Sequence, residues 1–172
     1  MQMVREMEKE YYESKLIFEG EYLYGFRLKG KEYVNDRLEY EGGYLFDNKY
    51  DGKGYDKYGN IIYELKNGTG KVLEYHTNGI LKFEGEYLKG KRNGKGKEYE
   101  NNGKLSFEGI YLNGFRNGKG KEYNYDGKLI YEGEYLNGFR NGKGKEYLWN
   151  GDLIFKGEYL NGKINGKGKE YY

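Results

Sequence analysis

Residues Leu81–Lys104 read LKFEGEYLKGKRNGKGKEYENNGK, and this stretch decides the fold. Leu81, Phe83, Gly85 and Tyr87 fall on one side of an extended segment, and Lys82, Glu84, Glu86 and Leu88 on the other. A period of two marks a strand with one buried face. Lys89–Gly94, closing on Asn-Gly, reads as a hairpin turn. Lys95–Tyr99 reads as the return strand, and Asn101-Asn102-Gly103 as the link to the next unit. Connections this short impose antiparallel pairing of successive strands.

The pattern recurs from Leu105, Leu129 and Leu153, so that Phe83, Phe107, Tyr131 and Phe155 stand 24 residues apart. Earlier copies begin around Phe18, Tyr40 and Tyr63, with spacings of 22, 23 and 20. Seven units follow, near residues 16–37, 38–60, 61–80, 81–104, 105–128, 129–152 and 153–172, after an N-terminal half-unit or cap at 1–15. In that leading segment Met3, Val4, Met7 and Tyr11 share a helical face. Lys9-Glu10-Tyr11-Tyr12, however, copies the Lys-Glu-Tyr of the return strands. A strand near residues 7–12 is the preferred reading and a short capping helix the alternative.

Composition agrees with hairpins. The 172 residues include 30 glycines, 23 tyrosines and 8 phenylalanines, and no proline, cysteine or alanine. Tyr and Phe favour strands and Gly favours tight turns. A thick aliphatic core is not available, but each ring buries about 150–250 Å². Rings cushioned by glycines at fixed intervals therefore replace an ordinary interior. The expected fold is all-β: an elongated, twisted, single-layer antiparallel sheet of about seven consecutive β-hairpins. A formal net charge of +2 gives no strong field for nucleic acid. The lack of cysteine excludes disulfides and thiolate metal sites. No stretch is apolar enough for a signal peptide or a membrane span, so a cytoplasmic location is expected, with membrane association as an alternative.

Tyr131-Glu132-Gly133-Glu134-Tyr135-Leu136-Asn137-Gly138-Phe139-Arg140-Asn141-Gly142-Lys143-Gly144 resembles the MORN repeat (membrane occupation and recognition nexus). That unit runs aromatic-x-Gly-x-aromatic-x-x-Gly and then Gly-x-Gly. The likeness covers Leu16 to Tyr172, clearly in four copies and weakly in three. It implies a ribbon of hairpins with a grooved aromatic face, used as a scaffold for protein segments, for oligomers or beside membranes. Tyr87, Tyr111, Tyr135 and Tyr159 stand where the family often has Trp, and the unit at 61–80 lacks its first turn.

Catalysis has little to draw on. His76 is the only histidine, Ser14 and Ser106 have no base in their units, and the glutamates recur in every repeat. Periodic residues are structural, whereas catalysis needs one unusual site. The Gly-x4-Gly-Lys matches at Gly25 and Gly85 lack the Ser or Thr and the helix of a phosphate loop. Asn67-Gly68-Thr69 reads as a turn. The chain is therefore expected to be no enzyme, without cofactor or metal. Two ladders remain. Phe83, Tyr87, Phe107, Tyr111, Tyr131, Tyr135, Phe155 and Tyr159 are the candidate partner-binding residues, suited to a protein or peptide lying along the sheet. Lys95, Lys97, Lys119, Lys121, Lys143, Lys145, Lys167 and Lys169 are the candidate contacts for anionic phospholipid. Lysines set against glutamates such as Glu84, Glu108 and Glu132 on a solvated face are the plainer reading of that second ladder. The leading function is a protein-interaction scaffold. The alternatives are membrane apposition, or targeting of a catalytic domain outside this chain. Pairing of terminal strand edges makes a homodimer a further expectation.

Overall fold

The computed structural model describes residues 5–172. Met3 and Val4, part of the helical alternative, lie outside the described residues. Every regular element from residue 5 onward is a strand. β1 (Glu6–Tyr12), β2 (Lys15–Leu23), β3 (Phe26–Val34), β4 (Arg37–Leu45), β5 (Asn48–Tyr55) and β6 (Ile61–Leu65) form one sheet in chain order. A second sheet, also in chain order, holds β7 (Gly70–Tyr75), β8 (Leu81–Leu88), β9 (Lys91–Tyr99), β10 (Leu105–Leu112) and β11 (Phe115–Tyr123). It continues through β12 (Leu129–Leu136), β13 (Phe139–Tyr147), β14 (Leu153–Leu160) and β15 (Lys163–Glu170). Neither sheet closes on itself. The chain packs as two compact units, the first running to Leu81 and taking in Glu86–Lys91, the second made of Lys82–Gly85 and Arg92–Tyr172.

The hairpin turn sits earlier in the repeat than its sequence suggests. Asn-Gly occurs twice in the hairpin of the units from Leu105, Leu129 and Leu153, first as Asn113-Gly114 and Asn117-Gly118. The first pair makes the reversal: Asn113 and Gly114 have φ of 53° and 94°, and Leu112 pairs with Phe115 across them. Two successive positive φ values give the two-residue turn whose twist matches that of the strands. Lys89-Gly90, Asn137-Gly138 and Asn161-Gly162 do the same. The second Asn-Gly lies inside the return strand, where Gly118 has φ 74° and the pairing register slips between Gly109 and Tyr111. It is a β-bulge, one extra residue that bends the strand. The return strand accordingly starts at Lys91, not Lys95.

Turn length also explains the uneven repeat. In the first unit β3 and β4 join through the two residues Asn35-Asp36, and β1 and β2 through Glu13-Ser14. From β5 onward the linking turn is longer: Asp56, His76 and Glu100 accept from the N–H of Gly59, Gly79 and Gly103 and donate to the carbonyls of Asn60, Ile80 and Lys104. The extra residues lengthen the period from 22 to 24.

Glycines meet across every strand pair of the second unit. Gly96 opposes Gly109, Gly120 opposes both Gly109 and Gly133, and Gly144 opposes both Gly133 and Gly157, which also faces Gly168. The result is a side-chain-free row running across the strands. The first aromatic of each unit lies over its own glycine pair: a Cβ placed on Gly133 would come within 2.4 Å of the Tyr131 hydroxyl and 2.7 Å of the Gly144 Cα. The second aromatic reaches back to the preceding unit, as Tyr135 does to Gly120 and Tyr111 to Gly96.

Candidate interaction faces

Each sheet carries one ladder of buried rings. In the second unit Phe83, Tyr111, Phe107, Tyr135, Tyr131, Tyr159 and Phe155 alternate edge to face, with centroids 5.2–5.6 Å apart. T-shaped pairs of this kind contribute about 0.5–1.5 kcal/mol beyond their buried area. Phe18, Tyr22, Tyr44 and Tyr40 repeat the arrangement in the first unit. Of the eight rings nominated from sequence, Phe83, Phe107 and Tyr131 are 0% exposed, and Tyr111, Tyr135, Phe155 and Tyr159 are buried as well. Tyr87 is half-buried and donates its hydroxyl to Glu74.

A charged layer covers these rings, and the sequence reading missed it. Arg92, Arg116 and Arg140 lie 4.0, 4.0 and 4.1 Å above the centroids of Phe83, Phe107 and Tyr131. Each cation over a ring face gains from the ring quadrupole. Carboxylates from the return strands link the arginines into one chain. Glu98 pairs with Arg92 at 2.7 Å and with Arg116, Glu122 pairs with Arg116 at 3.3 Å and with Arg140, and Glu146 pairs with Arg140. Burial works against the cation of Arg116, and Glu98 outweighs it, so its pKa is raised. Arg140 is raised in the same way by Glu122. Ile164 occupies the equivalent position opposite Tyr159. The signal is in the sequence, since Arg92, Arg116 and Arg140 recur every 24 residues, but reading Lys89–Gly94 as a turn hides the role of Arg92 and its repeats.

In the first unit Arg27 sits 4.2 Å over Phe18 and makes two hydrogen bonds to Glu10, at 2.9 and 2.7 Å. Lys49 takes the arginine's place over Tyr40. It holds the buried Glu39 at 2.8 and 2.9 Å and approaches Glu32 at 3.6 Å. Desolvation pushes the Glu39 carboxyl up to about 7 in spite of Lys49. Lys49 itself stays charged: burial opposes the charge, and Glu39 and Glu32 together overcome that.

The lysine ladder lies on the other face and splits in two. Lys97, Lys121 and Lys145 pair with Glu84, Glu108 and Glu132 at 3.5, 3.9 and 2.6 Å. Tyr99, Tyr123 and Tyr147 donate to the same three carboxylates. Lys169 stands opposite Lys156. Lys95, Lys119, Lys143 and Lys167 are exposed and, among the described residues, make no ion pair.

That second face also carries an apolar row at the hairpin turns. Leu112 and Phe115 flank one turn and Leu136 and Phe139 the next, with Leu160 following, each roughly half exposed. The Phe115 ring reaches the next turn, 3.7 Å from where a Gly138 Cβ would stand, and Phe139 repeats this at Gly162. The first unit has its own exposed turn residues, among them Phe26 and Phe46 in edge-to-face contact at 5.7 Å.

No group of three or more His, Cys, Asp or Glu among the described residues is placed to hold a metal ion. No helix there is long and apolar enough to cross a membrane. No curated protein matches the chain. The sequence model of the MORN repeat matches residues 83–104, 107–128, 131–152 and 155–172, in register with the ring, glycine and arginine ladders. This repeat is a non-catalytic type that generally serves interaction or membrane association. The four tandem copies, and the hairpin units that precede them, make this chain a member of the MORN-repeat family.

Proposed function

We propose that the chain is a non-catalytic protein-interaction module that presents the turn row of its second unit to a partner. The buried rings hold the sheet, and a partner reaching Phe107 or Tyr131 has first to displace Arg116 or Arg140. Leu112, Phe115, Leu136 and Phe139 need no such rearrangement. One observation carries the reading: large apolar side chains recur, half exposed, at the same position of successive hairpins. Scattered exposed leucines are ordinary, whereas a contiguous apolar row marks an interaction surface.

The test places a photo-crosslinking phenylalanine analogue at Phe139, and at Tyr125 on the opposite turns as a control, in the native cells. A discrete protein adduct from position 139 alone is expected. Equal adducts from both positions, or none from 139, would overturn the reading. A second reading, docking on anionic phospholipid, draws support from Lys95, Lys119, Lys143 and Lys167, which make no ion pair among the described residues. Pelleting with phosphatidylserine vesicles at physiological salt, lost in the Lys119→Glu/Lys143→Glu variant, would establish it. Such binding should fade steeply as salt rises.

A further inference from the structure

We infer that the turn row of the second unit is shaped for an acidic amphipathic α-helix lying across the strands, with one large apolar residue every seven. The inference rests on the proposed interaction reading and names the partner's chemistry. Successive hairpins are two strands apart, about 9.6 Å at the usual strand spacing. Seven residues of α-helix advance about 10.5 Å and return nearly to the same face. The two periods differ by about 0.9 Å per step, so three consecutive contacts stay within about 2 Å of register. An extended peptide repeats every second residue, about 6.8 Å, and falls out of step at once.

Side chains on the page fit that occupant. Leu112 with Phe115, Leu136 with Phe139, and Leu160 make three steps of the row. Ile110, more than a third exposed, widens its first step. Each Phe ring spans to the next turn, so the steps join into one strip. Behind the strip Lys119 stands opposite Glu134 and Lys143 opposite Glu158. Each glutamate turns from the lysine it faces toward the next strand and pairs with neither: Glu134 accepts from the Lys143 backbone N–H at 3.4 Å, and Glu158 lies over Gly166. Lys95, Lys119, Lys143 and Lys167 are left as a cationic rail parallel to the strip. The lysines one row further in are committed to Glu84, Glu108 and Glu132. An apolar strip beside a rail of uncommitted lysines complements a helix with leucines on one face and glutamates along its flank.

The probe is a fluorescein-labelled synthetic peptide of three heptads, with leucine at every seventh position and glutamate beside it. Its control has the same composition with leucine every fifth residue, which scatters them around the helix. Fluorescence anisotropy with the full chain at physiological salt should show the heptad peptide binding at least tenfold tighter. Peptide helicity should rise on binding. The Phe115→Ser/Phe139→Ser variant should lose at least tenfold, and Lys119→Glu/Lys143→Glu should lose a comparable factor that shrinks with added salt. Because these side chains are exposed, both variants should keep the parent's circular dichroism spectrum. Equal affinity for the two peptides, or binding unaffected by the phenylalanine substitutions, overturns the inference. So does a chain that takes up neither peptide but dimerises or binds vesicles through the same row. A protein adduct at position 139 with no peptide binding would overturn the helix while leaving the interaction module standing.

Discussion

At the scale of single residues, the second tyrosine of each repeat shows how one side chain can be well packed and poorly satisfied at once. Tyr22 and Tyr44 donate to Glu10 and Glu32. The hydroxyls of Tyr111, Tyr135 and Tyr159 lie beside Glu98, Glu122 and Glu146 but are buried without a hydrogen bond of good geometry. Burial and then the neighbouring carboxylate push all three phenols up. Removing an unsatisfied buried hydroxyl should cost nothing, because the desolvation penalty disappears with it. Tyr135→Phe is therefore expected to leave the denaturant midpoint unchanged or raise it. Tyr22→Phe should lower stability by about 1–2 kcal/mol through the bond lost to Glu10. Chemical denaturation of the two variants side by side checks the contrast.

Between elements, strand pairs are held at their closest approach by glycine against glycine. A valine at Gly133 would drive its Cβ to 2.7 Å from the Gly144 Cα and the Lys143 carbonyl, atoms that cannot step aside. Overpacking of this kind costs about 1–3 kcal/mol or more. Gly133→Val should fall at the top of that range in a thermal melt, while valine at exposed Lys121 should be nearly neutral. The strand identities and this glycine role were legible from period-two alternation and the 24-residue recurrence. The turn was not, because Asn113-Gly114 and Asn117-Gly118 carry the same local signal and only cross-strand register chooses between them. The arginine layer was lost with it, since a residue assigned to a turn is not asked which ring it covers. Exposure was misjudged for a related reason. One face of a thin sheet looks uncovered until Arg116 and its neighbours are seen to close it.

The pairing of β4 with β5 adds a pH dependence of unusual sign. Folded Glu39 keeps its proton up to about 7, whereas the unfolded chain releases it near 4.5. Its contribution to stability is full below about 4.5, declines through that window and is gone above 7. Glu10 and Glu132 act oppositely: hydrogen bonds from Arg27 and Lys145 hold them low, so their contribution is present above the ordinary carboxylate range and lost in acid. Stability of the first unit should therefore fall between about pH 4.5 and 7, by on the order of 3 kcal/mol. Glu39→Gln should flatten that decline. Urea titrations across the pH series measure it.

Over the whole molecule, each strand pairs its backbone only with its chain neighbours, in both sheets, and side-chain bonds such as Arg116 to Glu98 reach one strand further. Energetics in such arrays are sums over adjacent repeats. Deleting residues 105–128 joins β9 to β12 with glycine still facing glycine, since Gly133 occupies the position of Gly109. The shortened chain should fold cooperatively, with a denaturant m-value reduced by roughly a seventh in proportion to the lost surface. Deleting residues 105–116 removes one strand instead of two and inverts every direction that follows. That chain should lose the near-ultraviolet signal of its packed rings.

Backbone pairing in strict chain order has a mechanical corollary. A pull on the two ends of either sheet loads the outermost hairpin alone, so its bonds open in succession, as in a zip, and are never sheared together. Each complete repeat of 24 residues would pay out about 80 Å of slack. Tension would thus be met by many small, recoverable extensions, as suits a tether that yields without rupturing.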